Sequence, residues 1–359
     1  MKKVIFIITC IFLCSAISAQ SAAPVITPAQ VAQSSYIPYG GTVLAMGTYG
    51  LLPEELQMPY LTALNYVWMT PSFMLCPDKA LPQAGFALAF ETTSFLSSGL
   101  GWNVPTSLND ALWNIGWKLN YWTQYEGYAA ARSRCESGVY PDFKAVSFKD
   151  AVTAPFTWDV LKRPEVAYPI LGLAAGYALI EYIGGTDNAI WNTGTAYIGD
   201  KEVAPALGIA YTALVSIASY TATGIGEEAL FRGIGYEEMK QTMGRLPAAL
   251  IDSAGFAAVH IPQELLAGMD ISTVLSNFLL RAACSAGFEC IYEASGLTSS
   301  IAVHAWTDII ADMMVYLFTS GNPQTEATTA NIAPAKKSGV PAMNVNVVPY
   351  PTISFSFRW

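Results

Sequence analysis

The chain contains only two histidines, and both lie in apolar surroundings beside side chains that can pair with them. His260 closes the run Phe256-Ala257-Ala258-Val259-His260, and His304 opens His304-Ala305-Trp306-Thr307-Asp308. Upstream stands a third polar group, Glu227-Glu228-Ala229-Leu230-Phe231-Arg232, flanked by Gly226 and Gly233. Ionisable groups in apolar helices are costly to desolvate, so they pair with one another and mark functional sites. On a helix, Glu228 and Arg232 are one turn apart and share a face, which suits an ion pair. Glu227 points about 100° away from its neighbour. One glutamate is then clamped by arginine, and the other is left for general-base chemistry.

His304 and Asp308 are also one turn apart, so the aspartate can fix the imidazole tautomer or accept from a bound water. If the three segments converge, Glu227, His260 and His304 hold a water above a peptide carbonyl. The glutamate takes its proton and a histidine, or an amide in its place, stabilises the oxyanion. The same side chains also suit a divalent metal such as zinc, since two imidazoles and a carboxylate are a common ligand set. His-Glu-x-x-His is absent, and residue types alone leave metal-bound and glutamate-activated water both open. The plainer reading makes each histidine a satisfied core residue, the Glu-Glu segment a surface helix, and Asp308 and Asp312 water-facing. Both histidines falling beside partner-capable residues favours a site. Glu237, Glu238 and Lys240 are assigned to a solvated face.

These residues need apolar elements to position them. The 359-residue chain is 53% hydrophobic and 13% charged, with a net charge of −9. Its mean hydropathy is +0.36 and its pI about 4.8. Soluble domains carry about 25% charged residues, so the composition indicates an integral membrane protein, and the lack of a basic patch argues against nucleic-acid binding. Nearly uncharged runs at 166–183, 203–223, 246–261, 271–292 and 297–318, with a motif helix at 226–243, predict an all-α, multi-pass bundle. Some runs fall short of the roughly 20 residues that cross a bilayer, so short or tilted helices are expected.

The N-terminus reads as a secretory signal, residues 1–19, with basic Lys2 and Lys3, an apolar core and Ala19 before the cut. Residues 20–40 read as a loose leader within a 20–165 accessory region of unknown type, and 107–135 as an amphipathic helix capped by Ser107 or Asn109. Leu112, Ile115, Leu119 and Trp122 share a side of that helix. Lys118, Arg132, Arg134, Lys144, Lys149, Lys162 and Arg163 precede the first clear span; the positive-inside bias would make that region cytoplasmic, a cleaved signal starts the mature chain outside, and both hold only with an odd number of spans between residues 40 and 117. Beyond a 166–320 membrane domain, a polar linker leads to a tail (321–359 in all) in which Ile353, Phe355, Phe357 and Trp359 alternate like a strand. Cys76 and Cys135 suit a disulfide in an oxidising compartment, although free buried thiols are the preferred reading for the mature chain's cysteines.

Taken in order, the three motifs resemble the CAAX-protease and bacteriocin-processing family of intramembrane proteases. That family pairs two glutamates with a downstream arginine, then shows Phe-x-x-x-His, then His-x-x-x-Asn. The resemblance covers about residues 166–320. It implies that Glu227 activates water, that Glu228 and Arg232 support the site, and that His260 and His304 polarise the carbonyl or hold a metal. It also places position 308 at the oxyanion. Here that position is Asp308, and a carboxylate donates no hydrogen bond unless protonated.

The expected function is therefore a membrane endopeptidase of the bacterial inner membrane, with lipid and a protein or peptide substrate as partners. A non-catalytic scaffold or immunity protein of the same fold is the alternative, favoured by Asp308. A proton-relay transporter ranks last because the chain lacks symmetric halves.

Overall fold

The computed structural model describes residues 26–99, 106–135, 143–199 and 201–319. The expected signal peptide and the alternating C-terminal tail lie outside these residues. Helix α1 is Pro28–Thr48. It begins with a capping box: the Thr27 hydroxyl accepts from Gln30 N at 3.3 Å, while the Thr27 N–H donates to Gln30 Oε1 at 2.9 Å. This corrects the loose-leader reading, because Ser/Gln-rich composition concealed a capped helix. The chain continues through α2 (Glu54–Trp68), α3 (Thr70–Leu75), α4 (Pro77–Gly99) and α5 (Thr106–Arg134). Short helices α6 (Phe148–Thr153) and α7 (Trp158–Leu161) lead to α8 (Pro164–Gly184). After α9 (Ile190–Thr193), strands β1 (Ala196–Ile198) and β2 (Lys201–Val203) pair antiparallel, Tyr197 opposite Glu202.

Helix α10 (Pro205–Glu228) runs without a break into a π-helical segment, Ala229–Tyr236, and α11 (Glu237–Met243). The runs at 203–223 and 226–243 are thus one continuous helix of 39 residues. Gly226 and Gly233 do not interrupt it, because their role is to let another helix approach. A β-carbon on Gly226 would stand 2.7 Å from the Lys118 carbonyl oxygen, and one on Gly233 2.7 Å from the Tyr125 ring. The last elements are α12 (Arg245–Ala258), α13 (Ile261–Leu266), α14 (Ile271–Ser295) and α15 (Leu297–Thr319). Gly296, with φ +81, provides the reversal between the last two.

Four of these helices are long and apolar enough to cross a membrane: Pro164–Gly184, Pro205–Met243, Ile271–Ser295 and Leu297–Thr319. They expose large apolar side chains, among them Leu171, Leu179, Leu214, Leu275 and Leu279. In lipid such a surface carries no cost, and helices satisfy their own backbone. The protein is an all-α integral membrane protein, and among the described residues its two short strands form only a small hairpin.

Helix α5 is not amphipathic. From Gly116 to Ala129 only Leu119 escapes full burial, because α1, α2, α4 and α10 surround it. Its polar residues pair internally, Asn120 Nδ2 donating to Glu91 Oε1 at 3.1 Å and Gln124 Nε2 to Asn65 Oδ1 at 3.1 Å. Ser107 and Asn109 lie in its first turn instead of capping it. Two of the basic residues counted as loop charge, Lys118 and Arg132, are buried here at 8% and 4% exposure. They belong to ion pairs within the bundle, Lys118 with Glu227 and Arg132 with Glu237.

Cys76, Cys135, Cys284 and Cys290 are all free. Only Cys76 is buried, while Cys284 and Cys290 face outward from α14, which corrects the expectation of buried thiols.

Candidate active site

The π-helical turn carries Arg232 into the centre of the bundle, where the guanidinium is fully buried. Its Nη1 stands 3.3 Å from Glu228 Oε1, the same-face pair read from the sequence. Nη2 donates to the Ser285 carbonyl at 3.0 Å and to the Ser285 hydroxyl. Nε faces Glu289 at 3.5 Å and Asp252 at 4.0 Å. The Phe256 and Phe288 rings flank the cation, with centroids at 5.0 and 5.4 Å. A planar fork with several fixed donors suits this crowded set of acceptors better than an ammonium would.

Glu228 uses its two oxygens on different partners. Oε2 accepts from the Ser300 hydroxyl, and Oε1 accepts from His304 Nδ1 at 2.6 Å. The other ring nitrogen of His304, Nε2, faces Glu227 Oε2 at 3.6 Å and Asp308 Oδ2 at 3.5 Å. Both nitrogens thus look at carboxylates, and only the doubly protonated ring donates in both directions. Phe288 stacks on the ring at 4.8 Å and 11° between planes, which fixes its tilt.

Glu227 is 6% exposed. Its Oε1 accepts from Lys118 Nζ at 2.6 Å. His260 closes the group from the end of α12, outside the four spans. Its Nδ1 donates to the Phe256 carbonyl at 2.8 Å, so Nε2 keeps the lone pair. Burial pushes the imidazole down to about 4, and the ring is neutral at physiological pH.

Two cavities meet at this group. The larger, about 130 Å³, lies among α8, α14 and α15, and Glu227, His260, His304 and Asp308 are on its wall together with Tyr177 and Arg281. The smaller, about 30 Å³, is lined by Glu227 and His260 together with Thr42, Lys118 and Gln263. Within the larger cavity, Arg281 pairs with Glu264.

All six residues singled out from the sequence, Glu227, Glu228, Arg232, His260, His304 and Asp308, fall in this one region. Two geometric details differ from expectation. Glu228, not Asp308, holds His304 Nδ1. Glu237 and Glu238 are 4% and 2% exposed, which corrects their assignment to a solvated face. Arg132 lies 3.3 Å from Glu237, and the Tyr128 hydroxyl donates to Glu238 at 2.9 Å. Both partners come from α5, whose polar side chains the sequence reading had sent to solvent. Asp312 is tied to the Ser216 hydroxyl.

Sequence reasoning missed Lys118, Ser300, Ser285, Asp252 and Glu289. The available signal was charge placed within an apolar texture, as Lys118 is between Trp117 and Leu119.

The donors fit a resident dication poorly. Among the described residues no three of His, Cys, Asp and Glu stand as a ligand set. The Lys118 ammonium already compensates Glu227, and a dication beside it would be repelled.

Residues 209–310 match the family model described as "Type II CAAX prenyl endopeptidase Rce1-like". That segment contains Glu227, Glu228, Arg232, His260, His304 and Asp308, whereas Lys118 and Thr42 precede it. No curated protein and no solved structure matches the chain.

Proposed function

We propose that this membrane protein, whose residues 209–310 match the Rce1-like family model, is an endopeptidase that hydrolyses a peptide bond with a water activated by Glu227. The observation carrying this reading is the position of Glu227: between Lys118 at 2.6 Å and His304 at 3.6 Å, on a cavity wall shared with His260. Glu227 takes a proton as the water oxygen attacks the carbonyl carbon. The lone pair on His260 Nε2 accepts from the same water and orients it. His304 Nε2–H donates to the developing oxyanion, its ring held by Glu228 and stacked on Phe288. Collapse of the tetrahedral intermediate breaks the C–N bond, and the proton held by Glu227 passes to the leaving amine. No step passes through a metal.

The substrate is a peptide segment that reaches the cavity among α8, α14 and α15, helices with lipid-facing apolar surfaces. The test is cleavage of a broad peptide library by the full chain in vesicles. Wild type is expected to cleave and Glu227→Gln to lose at least about 100-fold in kcat, the usual scale for a general base. Equal rates would end the proposal.

One observation favours the scaffold reading. Asp308 Oδ2 sits 3.5 Å from His304 Nε2, where a carboxylate competes with an oxyanion for the same donor. The two readings separate on Asp308→Asn. An endopeptidase gains or keeps activity with an amide there, and a scaffold cleaves nothing with either residue.

A further inference from the structure

The Rce1-like segment does not balance the charges at its own site. Arg232 faces Glu228, Asp252 and Glu289, while His304 faces Glu227, Glu228 and Asp308. Two cations thus serve five acids, all within residues 209–310. The other basic side chains of the segment are engaged elsewhere, Lys240 and Arg245 with Glu293, and Arg281 with Glu264. A charged carboxylate is costly to bury without a partner of its own. The partner of Glu227 comes from outside the segment. Lys118 Nζ on α5 donates to Oε1 at 2.6 Å, and both side chains are buried. With Oε1 held there, Oε2 is the oxygen that faces His304.

The neighbouring turn fixes this contact. One turn before Lys118, Asn114 Nδ2 donates to Ser219 Oγ at 3.0 Å and to Thr223 Oγ1 at 2.8 Å. Thr223 lies one turn before Glu227 on α10. Asn114–Thr223 and Lys118–Glu227 are therefore two rungs of a single register, and Gly226 lets the helices close on it, since a β-carbon there would meet the Lys118 backbone. A slip of one turn would set Lys118 beside Thr223 and leave Glu227 without its cation.

We propose that Lys118 is the positioning residue of the catalytic carboxylate, and that α5 belongs to the catalytic unit although it lies outside the Rce1-like segment. The inference rests on the endopeptidase reading. The matched segment carries the groups that meet the peptide, and α5 supplies the ammonium that lets a charged Glu227 stand beside a largely apolar cavity with one oxygen turned toward it.

The test uses the full chain in vesicles and a peptide that the library identifies as a substrate. Lys118→Met keeps most of the stem and loses the charge. It is expected to lower kcat at least about 100-fold with KM changed less than about twofold. Lys118→Ala leaves room for n-propylamine, which replaces the deleted atoms. The added amine is expected to give a saturable, several-fold gain in kcat for Lys118→Ala, whereas n-propanol, similar in size but uncharged, gives none. Neither additive is expected to change Glu227→Gln. Wild-type kcat in folded Lys118→Met overturns the inference. So does equal rescue by amine and alcohol, rescue by neither, or failure of both variants to fold, since each reduces the lysine to a packing or structural group. Failure of the parent reading looks different: Glu227→Gln would cleave as fast as wild type, whichever residue stands at 118.

Discussion

His304 is held at Nδ1 by Glu228, its hydrogen bond 2.6 Å long across 76 positions of sequence. The first glutamate of the pair faces the opposite nitrogen of the same ring. Adjacent residues on one helix therefore bracket a single imidazole on another, and each has a different second partner: Lys118 for Glu227, Arg232 for Glu228. The doubled glutamate is a division of labour, with one carboxylate at the cavity and one beneath it.

Glu228→Gln tests that division. The amide preserves volume but can present its NH₂ toward Nδ1, which disturbs the ring orientation. We expect kcat to fall about 100-fold with KM changed less than twofold, a loss confined to the transition state. Steady-state kinetics on the vesicle-reconstituted protein would show it.

Arg232 sits among Glu228, Asp252 and Glu289 with no exposed atoms. Removing one member of a buried charge network costs about 3–5 kcal/mol. Arg232→Lys keeps the charge but loses the fork that serves Glu228 and Ser285 together. We expect a large fall in thermal stability in detergent for Arg232→Ala and incomplete recovery for Arg232→Lys. Melting temperatures equal to wild type would refute the central role of the guanidinium.

Gly226 is where α10 meets α5 without a side chain between them. Gly226→Ala pushes a methyl group against the Lys118 backbone, and overpacking of this kind costs about 1–3 kcal/mol. Because Lys118 also holds Glu227, the same substitution is expected to lower kcat along with stability. Gly172→Ala, on α8 with open space around its Cα, serves as the control and is expected to behave as wild type.

His260 makes stability depend on pH. Its folded pKa is lowered from 6.5 to about 4 by burial, so between those values the unfolded chain binds the extra proton. The stability this neutral ring provides is fully present above about pH 6.5 and is lost as the pH falls toward 4, a total loss of roughly 3 kcal/mol. His260→Gln removes this titration. Denaturation followed from pH 7 to pH 4 should show a shallower decline for the variant, and parallel curves would contradict the assignment.

The membrane spans and the motif residues were legible in the sequence because each rests on a local rule. Uncharged runs near 20 residues made the four spans visible, and one-turn spacing made Glu228–Arg232 and His304–Asp308 visible. The fate of α5 was not legible. Its apolar residues trace a stripe through Leu112, Ile115, Leu119 and Trp122, as on a surface helix, yet its polar side is buried too. Asn120, Gln124 and Lys118 find partners on α2, α4 and α10, contacts that no periodicity within one helix reveals. The same blindness hid Lys118 at the site and sent Glu237 and Glu238 to solvent. Charges that look solvated in a linear reading become internal once another helix supplies the matching group.

The polar seam of α5 bears on how the protein is made. Lys118, Asn120, Gln124 and Glu126 are each 8% exposed or less in the finished bundle, and a lone helix carrying them would be expelled from hydrocarbon. Helix α5 is not among the four helices apolar enough to cross a membrane, and its polar groups meet Glu91 and Asn65, which precede it in synthesis, and Glu227, which follows well after. The pairing of Glu227 with its lysine is therefore completed only after the ribosome has passed residue 227.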